Sequence, residues 1–530
     1  MQTLETKKKD IVSFFLKKGL LVNKDLLEYL ENEKNLEDFL GLIEEKHSES
    51  ITVLSEKIKD FLSNKQRSQL NWPEFEKFKA ILEKKGWDDS KLFEQILSSE
   101  KFDEPRKTAQ EDNVKIIFSY DKTPKKREAN DFVQYFNNRY QSIERILKQR
   151  QELQNVASIN RIVSKKDREQ VSVIGMVSDK QQTKNGNIML AIEDKTGYIK
   201  VIVNKNNPDL FRIAKDVVLD EVIGVVGVNG NKIIFASNLF PPDIPLTKEI
   251  KKAKEEAYAL FLSDLHVGSK NFLGDDFNRF LKWINCKLGN EAQKQIASKV
   301  KYIFVLGDLV DGCGVYPGQE KELQIKDIKD QYKLCASLLS EIPKNIKLII
   351  CPGNHDAMRI AEPQLPIYKD FAESLYDLPN AIMVSNPSII NIHSSDNFPG
   401  FDVLVYHGYS FDFYLAEVES IRSKGGYDRA DLLMKFLLQK RHLAPSYTST
   451  LYVPDTKLDF LVISKVPDFF VSGHIHKAAA ANYKNVTLIS GSCWQSKTSF
   501  QEKVGHNPEP SRVPIINLQT RNIKMLKFGK

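Results

Sequence analysis

The chain has 530 residues, 41% hydrophobic and 28% charged, with a formal net charge of +7. That length exceeds one ordinary domain, and the composition excludes a disordered or fibrous protein. The modest basic balance permits a polyanionic partner without requiring one.

No apolar run approaches ~18 residues, so no membrane span is expected. The charged opening MQTLETKKKD lacks the apolar core of a signal peptide. Five cysteines without a C-x-x-C pair are read as buried or incidental thiols of a reducing, cytoplasmic setting.

In chain order, residues 1–64 form a helical domain. Ile11, Phe14, Phe15, Leu20, Leu21, Leu26, Leu27 and Leu30 recur at helical spacing, and Asn23 is a plausible cap. Its stripe serves either a core of its own or a docking surface. Residues 65–130 read as a charged linker, partly helical, with Lys125-Lys126-Arg127 either a solvated tether or a phosphate contact. Residues 131–165 carry a helix into the next domain. Asp131 caps it, and Phe132, Tyr135, Phe136, Tyr140, Ile143 and Leu147 form its apolar stripe.

Over residues 166–246 the period changes to two. VSVIGMV, NIMLAIED, GYIKVIV, EVIGVVGV and KIIFASN are short strands parted by Asn185-Gly186, Thr196-Gly197 and Asn229-Gly230. Five such strands predict a small barrel of OB type. Tyr198, Phe211 and Phe235 are its main aromatics, so nucleic-acid contact and a purely architectural role both stay open. The run Phe240 to Pro245 is a stiff connector into residues 250–530.

There, five apolar strands end in Gly, Asp, Asn or His. FLSDLHVG places Asp264 and His266 two apart, hence on one side of a strand end. YIFVL ends in Gly307-Asp308-Leu309-Val310-Asp311-Gly312, and KLIIC in Pro352-Gly353-Asn354-His355-Asp356. VLVY ends in His407-Gly408, and FFVS in Gly473-His474-Ile475-His476. In an α/β sheet, ligands collect beyond the carboxyl ends of strands. Carboxylate, amide and imidazole donors without thiolate suit a borderline-hard divalent ion.

This series resembles the calcineurin-like metallophosphoesterases, from about Ala257 to the C-terminus. The resemblance implies a layered β-sandwich flanked by helices and a two-metal site. In it Asp264, His266 and His476 hold one ion, Asn354, His407 and His474 the other, and Asp308 bridges them. Manganese is the expected metal, with iron, zinc or magnesium as alternatives. A phosphodiester repels hydroxide; two ions ~3.5–4 Å apart offset that charge and lower the pKa of a bound water toward ~7. The leaving 3′-oxygen needs a proton, and His355 is the candidate general acid. Asp311 matches the family carboxylate that pairs with this His and raises its pKa, with a turn cap as the alternative. Asp356 is read as holding the loop.

A helical domain, an OB barrel and a phosphoesterase domain in that order resemble the B-subunits of replicative DNA polymerases. With every ligand present, the pattern is most similar to the small subunits of archaeal family D DNA polymerases, over about Phe132 to Lys530. That resemblance implies a 3′→5′ proofreading exonuclease acting on single-stranded 3′ ends. It also implies a large catalytic polymerase subunit as heterodimer partner, with the sliding clamp reached through the holoenzyme. A non-catalytic scaffold and a stand-alone repair nuclease are the alternatives. Two segments look surplus to catalysis. Leu415 to Arg441, with Leu432, Leu433, Phe436 and Leu437 in a helical stripe, is either an interface or a plain core helix. The tail Ile515 to Lys530 reads as an edge strand.

Overall fold

The computed structural model describes residues 113–530, save 124, 166, 167, 504 and 530, together with Leu21–Val22 and Val53–Leu54. The last two pair as short parallel strands in the unit Met1–Ala109, which is separate from the unit Gln110–Lys530. Helix was expected there. Val22 and the run Ile51-Thr52-Val53 are β-branched, which favours extended backbone. The rest of the expected helical domain, its Asn23 cap and the linker as far as residue 112 lie outside the described residues.

A second correction concerns Val114–Ser119 (β1), which the charge pattern places in the linker. It is a six-residue strand paired antiparallel to Ser388–Ile392. Its sequence VKIIFS is a good strand former, but flanking charges dilute the signal and its partner lies far along the chain.

Helix α1 spans Ala129–Leu147. The Glu128 N–H donates to the Asp131 carboxylate at 3.0 Å. Asp131 therefore closes a capping box from the third helical position instead of standing as the cap itself. Tyr135, Ile143 and Leu147 are buried, as the stripe requires.

The barrel contains all five expected strands: β2 Gln170–Gln182, β3 Ile188–Asp194, β4 Gly197–Val203, β5 Val222–Gly230 and β6 Ile233–Phe240. It closes in the order β2-β3-β4-β6-β5. Inward residues Val173, Leu190, Ile192, Val201, Val225 and Ile234 fill it. Helix α2, Pro208–Lys215, lies between β4 and β5, with the Asn207 side chain accepting from the Leu210 N–H.

Two six-stranded sheets follow. The first has the order β10-β9-β8-β7-β16-β17, made of Ala381–Met383, Lys347–Cys351, Val300–Leu306, Tyr258–Leu262, Arg512–Asn517 and Ile523–Lys527. The second runs β14-β15-β13-β12-β11-β1, made of Ala479–Tyr483, Val486–Ser490, Phe469–Ser472, Phe401–Val405, Ser388–Ile392 and β1. Their inner faces meet through Phe261, Phe304, Ile349, Val403, Phe469, Val471 and Ile489. Helices α3 (Gly274–Ile284) and α4 (Ile328–Ser340) cover the outside of the first sheet. Helices α5 (Phe411–Glu417) and α6 (Ala430–Lys440) cover the second, joined by the start of α1.

Leu433, Phe436 and Leu437 of α6 are buried in that layer, so the core-helix alternative holds for this stripe. The tail behaves as an edge strand in β17, while Ile515 and Ile516 of β16 are buried.

Buried charge ties the barrel to the sheets. Lys440 Nζ on α6 meets Glu221 at 2.6 Å, both nearly inaccessible to solvent. On α1, Arg139 Nε donates to Asp459 at 2.7 Å, with both side chains fully buried. Among the described residues no helix is long and apolar enough to cross a membrane.

Candidate metal centre

Strands β7, β8 and β9 run parallel, as do β12 and β13, so their carboxyl ends carry the predicted motifs to one rim. Immediately past the strands the chain turns sharply. Asp264, His266, Asp308, His474 and His476 all have positive φ, between 50° and 69°. Asp and His visit this region more readily than most residues, at some cost. Gly353 is required by close approach: a Cβ there would lie 2.2 Å from Asp308 Oδ1.

All seven expected ligand residues come together. Asp264, His266 and His476 offer donor atoms within 4.8 Å of one another, and so do Asp308, His407 and His474. Asn354 Oδ1 joins the second group, 3.0 Å from His407 Nε2. Asp308 lies between the groups: its Oδ2 is 3.4 Å from His407 Nε2 and 3.9 Å from His266 Nε2. Asp264, His266, Asp308, His407 and His476 are buried, whereas Asn354, His355 and His474 are half-buried and form the open side.

The donor set fits divalent ions. His266 Nε2 and His476 Nε2 face each other at 3.1 Å, and Asp264 Oδ1 is 3.3 Å from the latter. Carboxylate, amide and imidazole groups gathered in a buried place are a donor set that suits a cation. Burial opposes a charge on His407, yet Asp308 pushes its pKa up to about 10. Burial would likewise raise Asp308, but His407 and its neighbours hold it well below the carboxylate range. The site therefore favours positive charge among its carboxylates, as a divalent ion would supply.

The chain is 41% identical over 403 residues to the DNA polymerase II small subunit of Methanothermobacter thermautotrophicus, covering 76% of this chain and 80% of that protein. The chain belongs to the family of archaeal DNA polymerase II small subunits. The small subunit of Archaeoglobus fulgidus is 37% identical, with 76% and 78% covered. For that of Pyrococcus furiosus the figures are 38% identity, 75% of this chain and 64% of the longer relative. A family model for the B-subunit of DNA polymerases alpha and epsilon matches residues 259–480, and one described as an OB-fold nucleic acid binding domain matches 171–229.

In this small subunit the two expected proton-handling residues, His355 and Asp311, come together beside His266. The Asp311 carboxylate comes within 4.8 Å of a His355 ring nitrogen, while its hydrogen bonds go elsewhere. It lies 3.2 Å from His266 Nδ1 and accepts from Gln495 Nε2 at 2.8 Å and Gln319 Nε2 at 3.2 Å. The His355 hydrogen bond is to the Asp311 main chain: His355 Nδ1 donates to that carbonyl at 2.8 Å. Burial lowers the His355 pKa and outweighs Asp308 and Asp311, both of which act upward as expected of Asp311. A three-residue spacing brings Asp311 to the site but leaves open which histidine its carboxylate reaches.

Asp356 holds the loop as expected. Its Oδ2 accepts from Gly353 N at 2.8 Å, and its Oδ1 from the Tyr332 hydroxyl at 3.0 Å. Gln319 and Gln495 carry no motif of their own, and Asp412, at the end of the run His407 to Asp412 that fits the subfamily, has no role assigned by the sequence. Asp412 stands five residues after His407, and its Oδ2 is 3.1 Å from His474 Nε2.

Proposed function

We propose that this small subunit is a metal-dependent 3′→5′ DNA exonuclease that removes mispaired nucleotides for the large catalytic polymerase subunit to which it binds. Its site is of the calcineurin-like phosphoesterase kind and takes two divalent ions, manganese foremost. The observation that carries this reading is Asp308, whose carboxylate stands between two complete ligand groups. A scaffold subunit would have no need of a buried cluster so costly in desolvated charge.

When bound, two such ions offset the charge of a phosphodiester and bring a water's pKa from ~15.7 toward ~7. The protein's own residues do the rest. Asp308 keeps the two ligand groups in one register. His355 has Nδ1–H locked on the Asp311 carbonyl, so Nε2 is the nitrogen that holds or moves a proton at the leaving oxygen. The half-buried side formed by Asn354, His355 and His474 admits the strand end. On the barrel, Tyr198 and Phe235 are 71% and 54% exposed and offer faces on which unpaired bases stack.

The test is digestion of a 5′-labelled primer with a mismatched 3′ end, by the full chain alone and with its large subunit, in Mn²⁺ and in EDTA. Shortening from the 3′ end that EDTA abolishes is expected. Chelator-resistant cleavage, or shortening only from the 5′ end, overturns the reading. Inertness of the metal-loaded complex would leave a scaffold.

A further inference from the structure

We infer that Asp412 is a positioning residue for the second ligand group: it fixes His474 so that Nδ1 is the nitrogen offered to a metal. The inference rests on the two-ion reading of the site. A carboxylate can only accept, so the 3.1 Å contact with Asp412 Oδ2 places the proton on His474 Nε2. The lone pair is then on Nδ1. One of the His474 ring nitrogens lies within 4.8 Å of the donors of Asp308 and His407, and with Nε2 engaged that place is assigned to Nδ1. A carboxylate behind a ligating imidazole sets its tautomer, fixes the ring and raises its basicity.

Asp412 is itself held. The Tyr427 hydroxyl donates to Asp412 Oδ1 at 3.0 Å, leaving Oδ2 for His474. Tyr427 comes from the turn Gly426–Asp428, entered through Gly425 at a φ of 125°. The turn is attached twice more near the site. The Tyr427 ring lies 3.8 Å from that of His506, and Asp428 pairs with Lys477 at 2.7 Å, next to His476. The segment between α5 and α6 thus reaches the centre through one carboxylate. The backbone side of His474 is set separately, by its N–H on Asp264 Oδ2 at 3.0 Å. Asp412 is therefore the hydrogen-bond partner of the ring and not of the chain, and the rings of His407 and Tyr409 pack beside it at 5.3 and 6.0 Å between centroids.

The test is a titration of the metal-free full chain with MnCl₂, followed by electron paramagnetic resonance. Wild type is expected to bind two ions. Asp412→Ala should weaken one of them by roughly 10- to 100-fold and leave the other unchanged. Asp412→Asn, which keeps an acceptor oxygen for Nε2–H, should restore part of that loss. Tyr427→Phe should weaken the same ion by less. Should Asp412→Ala fail to fold, the Asn and Phe variants carry the test. Unchanged affinity at both sites, or equal loss at both, overturns the inference. A wild type that binds no Mn²⁺ overturns the two-ion reading itself.

Discussion

Replacing His355 with Ala separates metal binding from turnover. The hydrogen bond between residue 355 and the ligand groups comes from its backbone N–H, which donates to Asp308 Oδ1 at 2.8 Å and survives the substitution. What Ala removes is the ring, which is 2.8 Å from the Asp311 carbonyl and edge-on to His266 at 4.6 Å between centroids. The variant should keep its metal. A lost proton carrier lowers turnover by roughly 10²–10⁴-fold, or about 3–5 kcal/mol at the barrier. Asp308→Ala is the contrast. It removes the oxygen that faces both His407 and His266, so both ions and all activity should go together. Elemental analysis of the purified chain and single-turnover cleavage of a labelled mismatch decide the matter. A metal-free His355→Ala chain, or one within a few-fold of wild-type turnover, refutes the assignment.

Three further outcomes are expected. Tyr198→Ala and Phe235→Ala should each weaken binding of an end-labelled oligothymidylate by about 1–3 kcal/mol in anisotropy titrations; unchanged affinity takes the barrel out of DNA contact. Lys440→Met leaves Glu221 buried without its partner and should cost about 3–5 kcal/mol in urea unfolding, partly recovered by adding Glu221→Gln. Strict additivity of the two substitutions would show that the pair is not coupled. Burial, with Arg139 adding, pushes the His442 pKa down to about 4, below its unfolded value. The unfolded chain therefore takes up a proton that the folded one refuses. Stability should fall as pH drops from ~6.5 to ~4, by about 3 kcal/mol from this group. A flat urea midpoint across that range rules it out.

The clustering of the candidate ligand residues was legible because each sits where an apolar strand stops, and strand-end chemistry is a local signal. The barrel was legible for a similar reason: period-two runs and Asn-Gly turns are visible within a few residues. β1 was not, since VKIIFS becomes a strand only by pairing with residues some 270 positions away. Nor could the stripe of Leu433, Phe436 and Leu437 say what covers it; the apolar face looks the same whether this chain or another buries it. Asp311 shows a finer limit. Its position put it at the site, but the direction of its side chain depends on Gln319 and Gln495, which arrive from distant segments.

The left-handed backbone at Asp264, His266, Asp308, His474 and His476 sets the centre against the stability of its own scaffold. Each such residue gives up on the order of 1 kcal/mol that glycine would not. A lineage that dispensed with hydrolysis would be free to place glycine or asparagine at these turns and would gain thermal tolerance as it did so. On the proposed reading, silencing of the centre is thus downhill for the fold, and the five strained turns are the stability given up for what their side chains would bind.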